Sequence, residues 1–447
     1  MRTGRINVFN RIAATLMDNF GIGRTAAMAL LIIIGSVIIL ACFWFFYSAP
    51  PKTITITCGE KGSLYYRIAE RYAKVLARDG VRLIILPSEG SQQNLQRLAS
   101  RSFKADIGFV QTGLAKGENI EHLVSLGSVA NQPLMVFHNG TRDVEMLSQF
   151  KGKRLAVGPK GSGTRALALT LLAANGIEQG GSTSLLDIDD DQAVSDLLAG
   201  KIDAVFLMAD SASAQNMRKL TKDQTIRLVN FSQAEGYLRR FHYLNKLVLP
   251  KGAIDFERNI PAVDVHLLSP SVELIAQKNL HSALSDLLLA AAMEIHNRPT
   301  LYQKRGEFPS PVSYEFPLSD DAQRFFKSGK SFFFRYLPFW LASLFNRILV
   351  VFVPLILILI PAFKSIPALY RWKVRLSILK WYRALLILEQ EMSAVVPPEK
   401  SKALSLRINE IEKEVNKMKI PASFADQFYI LRGHISYVRA NLEGKRA

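Results

Sequence analysis

Residues Gly158 to Thr170 read Gly-Pro-Lys-Gly-Ser-Gly-Thr-Arg-Ala-Leu-Ala-Leu-Thr, a glycine-rich turn that opens into an apolar run. Gly161 and Gly163 let the backbone turn tightly and be approached closely, and Ser162 or Thr164 can cap a helix that follows. The free N–H groups of that first turn and the positive end of the helix dipole favour an anion, the dipole contributing about 0.3–1 kcal/mol. Arg165 adds a bidentate grip for a carboxylate. The plain alternative is an ordinary N-cap with Arg165 in solvent, and the stretch alone leaves both readings open. A nucleotide loop is excluded. Gly158 and Gly163 have the Walker A spacing, but Thr164-Arg165 stands where Lys-Ser/Thr is required, so the lysine that reaches the terminal phosphates is missing.

Related chemistry recurs along the chain. Gly59-Glu60-Lys61-Gly62-Ser63 precedes Tyr65-Tyr66, Ser88-Glu89-Gly90-Ser91 follows an apolar run, and Gln111-Thr112 ends another. Each alone is a plausible turn; together they predict a composite polar pocket, with Asp210-Ser211 placed to meet a ligand amine. Catalysis has no comparable pattern. His122, His138, His242 and His266 lack metal-ligand spacing, and neither a G-x-S-x-G elbow nor an H-E-x-x-H pair occurs. Asp189-Asp190-Asp191 reads as acidic capping of a helix. The expectation is a binding protein, not an enzyme, with no metal and no cofactor.

The elements that must position these residues follow from periodicity. Thr53 to Thr57, Val81 to Leu86, Ile107 to Val110, Arg154 to Val157 and Ala204 to Met208 read as strands. Tyr65 to Ala77, Ser91 to Ala99, Thr164 to Ala174 and Gln192 to Leu198 read as helices between them. This alternation predicts an α/β fold with largely parallel sheets covered by helices on both faces. Strand candidates within Leu123 to His138 and Val263 to Leu268 look like crossings between two lobes. A ligand then belongs outside the carboxyl ends of the strands, where helix N-termini converge.

Two apolar stretches frame that domain. Ala26 to Tyr47 carries no charge and is long enough for a hydrocarbon core of roughly 30 Å. Leu337 to Phe363 contains only Arg347, with Pro354 and Pro361 as kinks, and reads as a second span. The formal charge of +18 divides into +3 for residues 1–49, +5 for 50–330, +2 for 331–363 and +8 for 364–447. Basic residues flanking apolar spans place both termini in the cytoplasm and residues 50–330 outside. The same distribution excludes nucleic acid as the partner, since no soluble face is basic. Ile39-Leu40-Ala41-Cys42 resembles a lipobox, but Phe43-Trp44-Phe45-Phe46-Tyr47 continues the run as an aromatic belt, which favours an uncleaved anchor. Cys42 and Cys58 lie too far apart in this arrangement for a disulfide.

Phe150 to Arg165 (Phe-Lys-Gly-Lys-Arg-Leu-Ala-Val-Gly-Pro-Lys-Gly-Ser-Gly-Thr-Arg), Gly90 to Leu95 and Gly200 to Ala204 resemble segments of the TAXI-type solute-binding proteins, the extracytoplasmic partners of TRAP transporters. The resemblance runs from about Thr53 to about Arg298, with a weaker tail toward Gly329. It implies a two-lobed class II periplasmic-binding-protein fold that closes on a small organic anion or amino acid, such as glutamate. On matching positions it implies ligand contacts at Ser63, Tyr65, Ser91, Asn94, Gln111, Ser162, Gly163, Thr164 and Arg165, beside Gly161 and Asp210 from the residues themselves. Two departures stand out: Glu60 and Lys61 replace glycines of the family's first loop, and the chain continues where soluble members end.

The expected organisation is a cytoplasmic N-terminus (1–25), a first span (26–47), an exported domain (50–330), a second span (337–363) and a cytoplasmic helical tail (364–447). Within the exported domain, lobe 1 takes about 52–130 and 262–330, and lobe 2 about 140–258. In the tail, Leu404, Ile408, Ile411, Val415 and Met418 form an apolar stripe suited to packing on the Phe424 to Leu442 helix or to a partner. The expected partners are the solute, TRAP permease subunits and bacterial inner-membrane lipid, without nucleic acid. The alternative function is a ligand-sensing receptor that signals through the tail.

Overall fold

The structure, a computed structural model, describes residues 24–100, 102–140, 143–208, 213–330, 332–392, 398–418 and 424–444. Asp210 lies outside the described residues. Two compact units divide the chain: Ala49–Phe345, and Met1–Ser48 together with Asn346–Ala447.

Helix α1 (Arg24–Tyr47) belongs to the second of these, and the first unit opens on β1 (Thr53–Cys58). β1 alternates threonine with isoleucine and buries Ile54 and Ile56, as a β-branched run in a covered sheet should. Helix α2 (Leu64–Arg78) buries Tyr65, Ile68, Ala69, Tyr72 and Leu76 at helical spacing and leads to β2 (Arg82–Pro87), parallel to β1. Helix α3 (Ser91–Ala99) then leads to β3 (Ile107–Gln111), parallel to β1 on its other side.

The chain next crosses to the second lobe through β4 (Leu123–Asn131) and β5 (Leu134–Asn139). There β6 (Arg154–Ala156), α4 (Gly163–Ala174), β7 (Ser184–Leu186), α5 (Asp190–Leu198) and β8 (Ala204–Met208) form a parallel unit around β6. It is followed by α6 (Ala214–Lys222), β9 (Ile226–Leu228), α7 (Ala234–Arg240) and β10 (Leu244–Leu249). Strand β11 (Val265–Gln277) returns the chain to the first lobe, which α8 (Ser282–His296) and α9 (Asp320–Ser328) complete.

β11 is the spine of the unit. Its first half pairs with β10, and its second half pairs with β3 and β4. The change of partners falls at Ser269-Pro270-Ser271, where a proline without an N–H is tolerated because the ladder is changing hands. Thr112 N–H donates to Ser271 O at 2.9 Å, Ser271 N–H to Thr112 Oγ1 at 3.1 Å, and Gln132 N–H to Pro270 O at 3.0 Å, which ties both crossings together. The strand order is β2-β1-β3-β11-β5-β8-β6-β7, with β4 and β10 on β11 and β9 on β5.

The sheet is mixed, not largely parallel. Among the described residues four strand pairings are parallel and six antiparallel, because the crossing strands β4, β5 and β11 run against the βαβ strands they join. Apolar side chains cover both faces in each lobe, as the alternation requires.

The second unit is helical. Helix α10 (Phe332–Tyr336) closes the first unit, and α11 (Phe339–Glu391) then runs unbroken through Pro354, Pro361 and Pro367 for 53 residues. Within the second unit Arg347 places its guanidinium 4.9 Å from the Phe45 ring centroid of α1, an arrangement that shelters the one charge of the apolar stretch. Helices α12 (Pro398–Asn416) and α13 (Ala425–Gly444) pack with the C-terminal part of α11. Leu404, Ile408, Ile411 and Val415 are buried in that bundle among Leu388, Leu431, Ile435 and Val438. Among the described residues, one helical segment, Phe339–Pro361 (23 residues), is long and apolar enough to cross a membrane, whereas the apolar part of α1, Leu31–Tyr47, is shorter. Both cysteines are free, and burial pushes the Cys58 thiol up to about 12.

Glu273 on β11 is 1% exposed. Ser313 Oγ lies 2.6 Å from its Oε2 and 2.7 Å from Phe316 O, while Tyr314 N–H donates to Oε1 at 3.1 Å. Burial raises the Glu273 carboxyl above its ordinary 4.5, against hydrogen bonds from Ser313, Ser125 and Tyr314. One hydroxyl proton cannot serve two acceptors, so a protonated Glu273 donating to Ser313, with Ser313 donating to Phe316 O, satisfies every atom. A carboxyl raised in the fold stabilises most below its unfolded value, and that contribution is lost as pH rises through the folded value. Glu273→Gln supplies the same donor and acceptor without titrating. Urea midpoints of the parent should therefore fall as pH rises above about 4.5, and those of the variant should fall less; equal slopes would exclude this titration.

Candidate functional site

A cleft of about 760 Å³ opens at the carboxyl ends of β1, β2 and β3 and is walled on its far side by the turns before α4 and α5. Local sequence explains each wall. Ser63 caps α2, its Oγ accepting from Tyr66 N–H at 3.2 Å, and Arg67 donates to Gly62 O, which pins the first loop. Tyr65 stands behind it against Phe109, ring centroids 5.2 Å apart. Asn94 joins three strand ends: its Oδ1 accepts from Thr57 Oγ1 and Ser88 Oγ, each at 2.7 Å, and its Nδ2 donates to Phe109 O at 2.9 Å. Its amide is therefore engaged in the wall. Ser91 Oγ accepts from Gln111 N–H at 3.2 Å.

The glycine-rich turn forms the opposite wall. Ser162 caps α4, its Oγ accepting from Arg165 N–H at 3.1 Å and donating to Pro159 O at 2.7 Å. Gly161 takes φ +78°, a conformation L side chains rarely adopt. The lobes meet here backbone to backbone. Gln93 N–H donates to Gly161 O at 3.4 Å and Gln111 Nε2 to Gly163 O at 3.4 Å. A Cβ at Gly161 would lie 2.5 Å from Glu89 Oε2, and one at Gly163 would overlap Gln111 Oε1.

Of the residues expected from sequence, Ser63, Tyr65, Ser91, Asn94, Gln111, Ser162, Gly163 and Thr164 line the cleft. Gly161 and Arg165 do not. Gly161 sits beneath Glu89, and Arg165 is drawn to Asp187 in an ion pair with its side chain 13% exposed. Asp210 is not among the described residues. Lining residues that were not expected include Arg67 and Phe109, Gln132 at the first crossing, and Asp189, Asp190 and Asp191 ahead of α5. Asp189 Oδ1 accepts from Gln192 N–H at 2.9 Å and Asp191 Oδ1 from Asn216 Nδ2 at 2.7 Å, so the capping role read from sequence and a place on the cleft coincide. Nothing in the sequence marks Gln132, whose position depends on where the crossing turns. Among the described residues no group of three or more His, Cys, Asp or Glu side chains converges on a metal position.

Residues 56–270 match the NMT1-like family. The matched span begins in β1 and ends at the Pro270 crossing of β11, so it takes in both walls of the cleft. Solved structures similar to the chain include an ancestral arginine-binding protein bound to arginine, at 14% identity and a TM-score of 0.34, covering 55% of this chain and 92% of that one. The periplasmic aliphatic sulphonate binding protein of Escherichia coli is similar at 17% identity and a TM-score of 0.34, covering 55% of this chain and 73% of that one. No curated protein matches the chain in sequence. Ala49–Phe345 has an α/β periplasmic-binding-protein-like fold.

The contact at the glycines is directly testable. Gly163→Val should hold the lobes apart and raise the radius of gyration in small-angle scattering while the secondary structure persists. Gly161→Ala adds the left-handed backbone penalty of about 1–2 kcal/mol and should lower the unfolding midpoint. Parent-like scattering from Gly163→Val would mean that the turn does not control lobe approach.

Proposed function

We propose that Ala49–Phe345 is an extracytoplasmic solute-binding domain of the TAXI type, anchored in the bacterial inner membrane, which captures a small organic anion or amino acid by lobe closure and serves a TRAP-type transporter. The observation that carries this reading is the two-walled cleft at the strand ends, with its lobes joined by two strand crossings and touching at the Gly161 and Gly163 backbone. Ser63, Tyr65, Ser91, Gln111, Ser162, Gly163 and Thr164 are the proposed contacts, and Asn94 holds the wall that presents them. The N-termini of α2, α3 and α4 border the cleft and favour an anionic group of the solute.

Membrane anchoring is supported by the outward-facing apolar side chains of α1 and α11, among them Ile39, Phe43, Phe46, Ile356, Leu357 and Ile358. Only 11% of the most apolar window of Phe339–Pro361 is buried, whereas the core helix of a soluble domain would be mostly covered. The basic excess beyond residue 363 supports a cytoplasmic C-terminus. A second reading, a receptor, is favoured by one feature: α11 continues without a break from Phe339 into the bundle with α12 and α13.

A thermal-shift screen of the full chain in detergent against organic acids and amino acids tests the binding reading. A true ligand at a hundred times its dissociation constant should stabilise the domain by about 2.7 kcal/mol. A flat response across the panel would count against both transport and sensing. A cytoplasmic partner recovered with residues 364–447 would favour the receptor.

A further inference from the structure

We propose that the solute carries a positively charged N–H donor group, an ammonium or guanidinium, and that dicarboxylic acids without such a group are not its ligands; this rests on the cleft being the solute site. Two independent observations lead there.

The first is charge. Glu60, Glu89, Asp189, Asp190 and Asp191 line the cleft, against Lys61 and Arg67. Arg67 donates to Gly62 O and keeps its charge, while Arg165, the guanidinium beside the glycine-rich turn, is paired with Asp187 and is not in the lining. The N-terminus of α5 offsets part of the aspartate charge, but a helix end amounts to about half a positive charge, against three carboxylates. The wall before α5 therefore favours a cation, opposite the N-termini of α2, α3 and α4, which favour an anion.

The second is hydrogen bonding. The Oε1 atoms of Gln111 and Gln132 are buried and have no partner among the described residues. The two residues are 1% and 5% exposed, and both line the cleft. Gln111 is oriented by Nε2, which donates to Gly163 O at 3.4 Å, so its carbonyl oxygen is the free end. Gln132 is fixed at the crossing by its own N–H to Pro270 O at 3.0 Å. Both oxygens accept only, and an ionised carboxylate has no proton to give them. An ammonium offers three donors and a guanidinium five. A zwitterion satisfies both walls, its carboxylate at the helix N-termini and its cationic end toward the amide oxygens and the aspartates.

The test is isothermal titration of the full chain in detergent with δ-aminovalerate and glutarate, which differ chiefly in exchanging an ammonium for a carboxylate, together with L-arginine and L-ornithine. Saturable binding by at least one amine-bearing probe and none by glutarate is expected. Gln132→Met, which keeps the volume and removes the acceptor, should weaken that binding about ten-fold, with Gln111→Met as the second variant. Thermal unfolding of the unliganded variants reports whether they fold. Glutarate binding without amine binding would overturn this inference and leave the solute-binding reading standing. Binding by neither class would remove the support for both, and unchanged affinity in both folded variants would overturn the role of the amide oxygens.

Discussion

The approach of two backbones at Gly161–Gly163 is the constraint around which the unit Ala49–Phe345 is arranged. A close approach of the lobes needs one wall to be thin, and Gly161 and Gly163, on either side of Ser162, bring no Cβ to it. The rest follows from placing that turn. β6 must deliver it from the second lobe, Ser162 must start α4 immediately afterwards, and Gly90 must let α3 begin opposite without a side chain of its own. The same close approach sets Gln111, a lining residue of the cleft, against Gly163, with its buried Oε1 beside the place a Cβ would take.

Much of this could be read from residues alone. The five strands and four helices expected from periodicity all occur, with ends shifted by at most two residues, because each is a local pattern: β-branched alternation in β1, helical apolar spacing in α2, a serine cap before α4. The serine, threonine and glutamine positions on the cleft were legible for the same reason, since a strand end followed by a helix N-cap is a sequence-local arrangement. What sequence could not supply was direction. Arg165 follows the glycines and looked like a grip for an anion, yet its partner, Asp187, comes from a turn more than twenty residues later. Gln132 became a lining residue only because two strands cross beside it. The mixed sheet was equally hidden, since the antiparallel pairings of β11 join residues more than a hundred positions apart.

The helical unit shows a different balance. Its apolar stripe at Leu404, Ile408, Ile411 and Val415 has a partner within the chain, so the tail forms a core of its own from α11, α12 and α13. The outward face of α11 between Phe339 and Pro361 has no such cover among the described residues. That contrast, one stripe buried and one apolar surface left bare, is the physical argument for lipid around the second.

The central claim is that the two lobes close over a solute with the glycine turn as their meeting point. Its most direct measurement is the distance between spin labels at Glu121→Cys in the first lobe and Arg218→Cys in the second, in a Cys42→Ser background. With increasing concentration of a solute that titration shows to bind, the distance distribution should narrow and shift to shorter values. In Gly163→Val it should remain long and broad. A distribution that saturating ligand leaves unchanged in the parent chain would contradict the account.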